Sequence, residues 1–272
     1  MTTPDTARFP LGVSLHTLDP EQRPETAALL AGSSVKYLEL WEPDFDKSER
    51  HVDEMRRLLA AAGVQARTVH ANFGSGLDLS SPDADVRAAG LEAFRAALDL
   101  AVRMSAPIIV VHASAEPISD ATRAARMADA RRSIQTMAKM AGDAGCRIAV
   151  ELLPRSCLGN SAAELLALLE GVDPATAGAC LDTNHLMDGF AALPDAARTL
   201  GARLIALHLS DYDGVDEKHW PPLRGVIDWP AFLQALSDVH FPGPLNYEAT
   251  LDGQSPAEKL AFLERNYIAL TS

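Results

Sequence analysis

Two hydrophobic periods alternate along the chain. Eight short runs are nearly continuous in apolar or β-branched residues: LGVSL (11–15), YLELW (37–41), ARTVHA (66–71), IIVVHA (108–113), RIAVELL (147–153), GACLDT (178–183), LIALHLS (204–210) and PLNYEA (244–249). Strands buried on both faces of a parallel sheet read this way, because neither face meets water. Between these runs the apolar positions recur at three and four. In 85–104, Val86, Leu91, Phe94, Leu98 and Val102 mark one helical face, and the preceding SSPD predicts an N-cap with Pro in the first turn. The same spacing predicts helices over 48–63, 121–145, 160–171 and 255–270, with shorter ones over 191–200 and 228–236.

Strand and helix thus alternate eight times, and no Ser/Gly-rich linker or shift in composition interrupts them. Helices long enough for crossovers predict a parallel sheet. Eight such units in one chain of this length predict an α/β fold over residues 1–272, a single (β/α)8 TIM barrel. An open doubly wound sheet is the other arrangement of such units. It normally opens with a glycine-rich turn, and SLHTLDP after the first run has none.

Composition narrows the partners. Of 272 residues, 47% are hydrophobic and 22% charged, and the net charge is −13. Such an acidic balance argues against a broad nucleic-acid surface, which needs clustered Lys and Arg. Cys146, Cys157 and Cys180 form no CxxC pair, and their odd number fits a reducing compartment. The opening MTTPDTARFPLG lacks the basic segment and apolar core of a secretory signal, and no apolar run approaches the ~18–20 residues of a membrane helix. The expectation is a cytoplasmic protein with no membrane and no nucleic-acid partner; homo-oligomer formation is compatible with it.

Candidate chemistry sits where the runs end. In such a barrel the active site gathers at the C-terminal ends of the strands. Read in order, those ends carry His16, then Glu39 and Glu42 around Trp41, His70, His112, Glu151, Asp182 with His185, His208 with Asp211, and Glu248. One buried histidine is usually a satisfied core residue. Six consecutive runs, the third to the eighth, ending in a metal-ligand type and aimed at one axial space ask for another explanation. Buried carboxylates are costly and repel one another, and a divalent cation removes both problems. Carboxylates with imidazole and no thiolate suit Mn²⁺, Zn²⁺, Co²⁺, Fe²⁺ or Mg²⁺.

The remaining polar and aromatic residues have plainer readings. Glu39 and Glu42 read as structural or solvated. Trp41 and Phe73 either stack on a substrate ring or cap the barrel. Arg155 is a surface charge or an anchor for an acidic group, and His51 and His240 read as surface residues. Arg123, Arg126, Arg131 and Arg132 with Asp129 read as a solvated helix face, and Asp211 as an acceptor that orients a ligand.

The motifs HAN (70–72), HAS (112–114), VELLPR (150–155), CLDTNH (180–185), HLSD (208–211), H-x-x-P-x-x-G-x-I-D from His219 to Asp228, and YEA (247–249) together resemble the xylose-isomerase-like barrel superfamily. The match looks closest to its sugar phosphate isomerase/epimerase-like group. That resemblance implies one divalent ion, most often Mn²⁺ or Zn²⁺, held by Glu151, Asp182, His208 and Glu248. It implies Glu151 and Glu248 as the proton-transferring pair, and His185, His70 and His112 as substrate contacts. Trp41, His16, Arg155 and His219 join them as candidate substrate-binding residues. The implied reaction is isomerisation or epimerisation of a small sugar or related hydroxy-carbonyl compound, by proton transfer through a metal-stabilised enediolate. Dehydration of a keto-polyol would use the same chemistry.

A sister branch, the metal-dependent abasic-site endonucleases, holds three zinc ions and would recruit His70, His112, His185 and His219 as well. That branch has Asp two residues before the last His, where this chain has Glu217. The net charge, the lack of a basic cluster in the strand-end loops and the loop FGSGLDLSSPDADVR after His70 favour the sugar branch. Two positions depart from the sugar group. Leu223 follows Pro222 where Gly is common, and no Arg lies between His208 and Lys218, where ketose epimerases carry one. No phosphate-cradling motif is present, so the substrate need not be phosphorylated.

Overall fold

The computed structural model describes residues 9–272, so most of the opening MTTPDTARFPLG, residues 1–8, lies outside the described residues. Eight parallel strands form: β1 (Leu11–Ser14), β2 (Val35–Trp41), β3 (Gln65–His70), β4 (Ile108–Val111), β5 (Arg147–Glu151), β6 (Ala177–Asp182), β7 (Leu204–His208) and β8 (Leu245–Tyr247). Each matches one predicted run. They pair in the order β7-β6-β5-β4-β3-β2-β1-β8. The remaining gap, between β7 and β8, is bridged just past both strands' regular pairing. Leu209 N–H donates to the Asn246 carbonyl at 2.8 Å, and Glu248 N–H donates to the Leu209 carbonyl at 3.0 Å. The sheet is a (β/α)8 barrel and not an open doubly wound sheet.

The helices are α1 (Leu15–Leu18), α2 (Pro24–Leu29), α3 (Glu49–Ala62), α4 (Ala84–Met104), α5 (Asp120–Asp143), α6 (Ala162–Leu168), α7 (Leu193–Leu200), α8 (Trp229–Asp238) and α9 (Pro256–Thr271). α1 and α2 escape prediction, because one or two turns are too short to show a period. Ahead of α4 the cap is Asp83, accepting from Asp85 N, so Pro82 precedes the cap and does not sit in the first turn. α6 stops at Leu168, short of the predicted 171. α3 ends on Gly63 in the left-handed region at φ 68°, and α9 opens with a capping box between Ser255 and Glu258. No helix among the described residues is long and apolar enough to cross a membrane.

Two apolar layers fix the strands. The larger lies between sheet and helices, and the smaller fills the barrel interior with Ile108, Val110, Ala149, Cys180, Ile205 and Ala206. Side chains alternate across a strand. Two residues beyond Val110, Ala149, Cys180 and Ala206 therefore come His112, Glu151, Asp182 and His208, on the same inner face one layer higher. The interior is apolar below and polar above.

Three of the plainer readings change. Arg123 pairs with Glu164 of α6 at 2.5 Å, and Arg126 with the buried Asp78, so this part of α5 faces its neighbours and not solvent. His51 is half-buried, with its ring edge-on to Phe45 at 4.9 Å. Asp211 orients no candidate ligand. It is fully buried and accepts from Tyr212 N at 3.0 Å, Ile227 N at 3.3 Å and Trp229 Nε1 at 2.9 Å, holding the loop that follows β7.

Candidate metal centre and active-site cavity

Glu151, Asp182, His208 and Glu248, from the ends of β5 to β8, each offer a donor atom within 4.8 Å of the others. Three are essentially inaccessible and the Glu248 side chain is 25% exposed, so the cluster opens upward on the Glu248 side. His208 Nδ1 lies 3.1 Å from Glu151 Oε1, 2.8 Å from Glu248 Oε2 and 3.9 Å from Asp182 Oδ2. Asp182 Oδ1 accepts from Asn184 N at 2.6 Å, whereas Oδ2 is buried without a hydrogen-bond partner.

Histidines ring this cluster. His70 Nδ1 faces the Ala71 carbonyl at 2.9 Å, so its Nε2 is turned to Glu151 Oε2 at 3.0 Å; His112 Nε2 meets the same oxygen at 3.0 Å. His185 Nδ1 faces the Leu152 carbonyl at 2.7 Å, which directs Nε2 outward toward Glu217 Oε2, 3.8 Å away. His219 Nε2 lies 3.8 Å from the same oxygen.

Charge follows this geometry. Burial opposes ionisation of Glu151, but the His208 and His112 imidazoles outweigh it and hold the carboxyl well below its usual range. Glu248 behaves alike. Burial acts against its charge, His208 beside it prevails, and its pKa falls to about 2. Asp182 goes the other way, pushed up to about 6, chiefly by burial. His219 rises to about 9 against the pull of burial, because Glu217, Asp182 and Glu248 favour its charged form.

Above the cluster lies a cavity of about 980 Å³, near the upper end for small-molecule sites. One wall is aromatic. Trp41 sits 4.9 Å from His70 and 5.5 Å from Phe73, and Phe73 stacks on His112 at 3.8 Å while remaining 43% exposed. His16, read as a strand end, lies in α1 beside Trp41 at 5.8 Å. The opposite rim is charged. Arg155, in the left-handed region at φ 49°, pairs with Glu116 at 2.7 Å, Asp216 at 3.0 Å and Glu217 at 2.6 Å, joining the loops after β4, β5 and β7. Lys259, also lining the cavity, donates to the Thr17 carbonyl at 3.0 Å.

All eleven residues singled out from the sequence line this cavity or its floor: His16, Trp41, His70, His112, Glu151, Arg155, Asp182, His185, His208, His219 and Glu248. Sequence reasoning passed over Glu116, Lys259 and the part taken by Glu39. Glu39 accepts from His208 Nε2 at 3.0 Å inside the barrel. Its alternation with Trp41 marks it as inward-facing, but its partner lies 169 residues away.

A ketose 3-epimerase of Arthrobacter globiformis is 26% identical over 216 residues, 76% of this chain and 71% of the relative. An uncharacterized protein of Sinorhizobium fredii is 26% identical over 257 residues, 85% of this chain and 82% of its own. Among solved structures, D-psicose 3-epimerase of Clostridium cellulolyticum H10 with D-tagatose superposes with a TM-score of 0.76 at 22% identity, covering 95% of this chain and 96% of that one. The family described as xylose isomerase-like TIM barrel matches residues 27–266, and the chain belongs to it.

Proposed function

We propose that this protein is a divalent-metal-dependent epimerase or isomerase acting on a small, uncharged sugar or related hydroxy-carbonyl compound. The observation that carries this reading is the unpartnered Asp182 Oδ2, buried among three other oxygen and nitrogen donors. Such a group is costly in the absence of a positive charge, and the donor set suits a hard or borderline cation. Glu151, Asp182, His208 and Glu248 would hold it. A divalent cation there supplies Lewis-acid polarisation of a carbonyl and its neighbouring hydroxyl.

The chain's own residues do the rest. Glu151 and Glu248, both held ionised in the free protein, reach the cavity floor from β5 and β8. With one of them protonated from solvent as substrate binds, the ionised one takes the proton from the carbon next to the carbonyl. The protonated one delivers its own to the opposite face, which inverts that carbon. His185 Nε2, turned toward Glu217 and the cavity, would hold a substrate hydroxyl. Trp41 and Phe73 offer flat apolar surface to the C–H face of a sugar ring. The guanidinium of Arg155 is already engaged by three carboxylates, which supports an uncharged substrate over a phosphorylated one. The ketose 3-epimerase among the relatives supports epimerisation in particular.

Mn²⁺-loaded protein in D₂O, offered ketoses, keto-inositols and hydroxypyruvate, tests the reading. Solvent deuterium should enter the carbon beside the carbonyl of at least one of them, with formation of its epimer or isomer. Protein holding one Mn²⁺ per chain that exchanges no carbon-bound proton in any of them would overturn it.

A second reading, a three-ion phosphodiesterase of the abasic-site type, draws on two further donor groups, His70–His112–Glu151 and His185–Glu217–His219. Metal content separates the two. About three ions per chain and cleavage of abasic DNA favour the second reading; one ion, retained in His185→Asn, favours the first.

A further inference from the structure

One acid lies below the candidate ligands, where the barrel, Thr68 apart, is otherwise apolar. The inner layer beneath them is built by Glu39, Thr68, Val110, Ala149, Cys180 and Ala206, and Glu39 is 1% exposed there. Its Oε2 accepts from Thr68 Oγ1 at 2.8 Å and from His208 Nε2 at 3.0 Å, while Oε1 is buried without a partner. For packing alone an apolar side chain would serve this layer better, since a buried carboxylate is tolerated only when its contacts compensate its lost hydration.

The compensation runs through one imidazole. His208 is itself fully buried, and its other nitrogen, Nδ1, faces Glu151, Glu248 and Asp182. An imidazole can offer a lone pair on one nitrogen only while the proton sits on the other. We infer that Glu39 is a positioning residue of the metal centre: by accepting the Nε2–H of His208 it fixes the tautomer and ring plane that present Nδ1 to the cation. A hydrogen-bond acceptor behind a ligating histidine also strengthens its other nitrogen as a donor. Thr68 in turn fixes the Glu39 carboxylate. This inference rests on the metal-centre reading above, but not on the identity of the substrate.

Calorimetric titration of metal-free protein with Co²⁺, together with the visible spectrum of the bound ion, tests it. Glu39→Gln keeps the shape and an oxygen but removes the charge. It should weaken Co²⁺ binding by about 10–100-fold and alter the Co²⁺ spectrum, while the metal-free variant melts no lower than its parent. Thr68→Val, which removes the donor behind Glu39, should weaken binding by less. Val52→Ala, a cavity in the buried face of α3 outside the barrel interior, should lower stability and leave the affinity for Co²⁺ at the parent value.

A Glu39→Gln protein that binds Co²⁺ as tightly as the parent overturns the inference. Should that variant fail to fold, Thr68→Val decides: weakened Co²⁺ binding upholds it, and unchanged affinity overturns it. A parent protein that takes up no Co²⁺ overturns both this inference and the metal-centre reading. One that binds a single Co²⁺ yet acts on no sugar removes the proposed reaction and leaves the role of Glu39 standing.

Discussion

Asp182 and Asp211 are both fully buried, 29 positions apart, on neighbouring strand ends. Their surroundings differ. Asp211 is satisfied: three N–H donors converge on its two oxygens, and Gly225 closes over it so tightly that a Cβ there would stand 2.3 Å from its Oδ1. Asp182 has one oxygen held by Asn184 and the other left bare among acids and imidazole. Burial alone therefore separates nothing. What differs is the unfilled acceptor of Asp182, which the proposed cation would occupy.

The largest effect should come from the two glutamates beside Asp182. Glu151→Gln and Glu248→Gln keep size and an oxygen but remove the base, so turnover should fall by about 10²–10⁴-fold. Solvent deuterium exchange into the substrate should fall in parallel. Turnover kept in both variants would leave the cluster without a catalytic part.

Stability measured with and without chelator sharpens the contrast next. A cation in hundredfold excess over its Kd stabilises the folded state by about 2.7 kcal/mol, and chelation should remove that from the parent. Asp182→Asn should abolish the metal-dependent increment while leaving the metal-free protein no less stable. Asp211→Asn should do the opposite. Its new amide donor meets N–H donors, so it should cost about 1–3 kcal/mol with or without chelator. Equal behaviour of the two variants would erase the distinction drawn here.

The smallest effect concerns a third buried acid, Asp19, outside the cavity. Burial works against its charge, but hydrogen bonds from Arg23 and Thr26 prevail and its pKa is lowered. A carboxyl whose folded pKa lies below the unfolded value, about 3.9, stabilises above that value and loses the contribution as pH falls toward the folded one. Asp19→Asn should therefore flatten the acid limb of the stability profile below about pH 4. An acid limb as steep as the parent's would show that Asp19 contributes nothing to it.

Legibility in the sequence followed the same division. The eight runs and the longer helices were readable because burial on two faces or one imposes a period. The strand-end acids and histidines were readable because they interrupt apolar runs at equivalent points of the fold. Glu39 was not, since a lone acid in YLELW carries no sign of the imidazole it meets across the barrel. Arg123 and Arg126 misled for a related reason: their partners Glu164 and Asp78 come from other parts of the chain. α1 and α2 are too short for periodicity to register.

The bridge from Leu209 to the strand carrying Glu248 has a consequence for synthesis. β8 pairs with β1, from the opposite end of the chain, and the Leu209 bridge then sets Glu248 beside His208. A ribosome-bound chain that has reached residue 240 holds Glu151, Asp182 and His208 but not the fourth donor. Contacts this distant in sequence form late. The proposed four-donor site is therefore complete only once the last strand has docked, and a chain truncated before Glu248 should bind the cation more weakly than the full one.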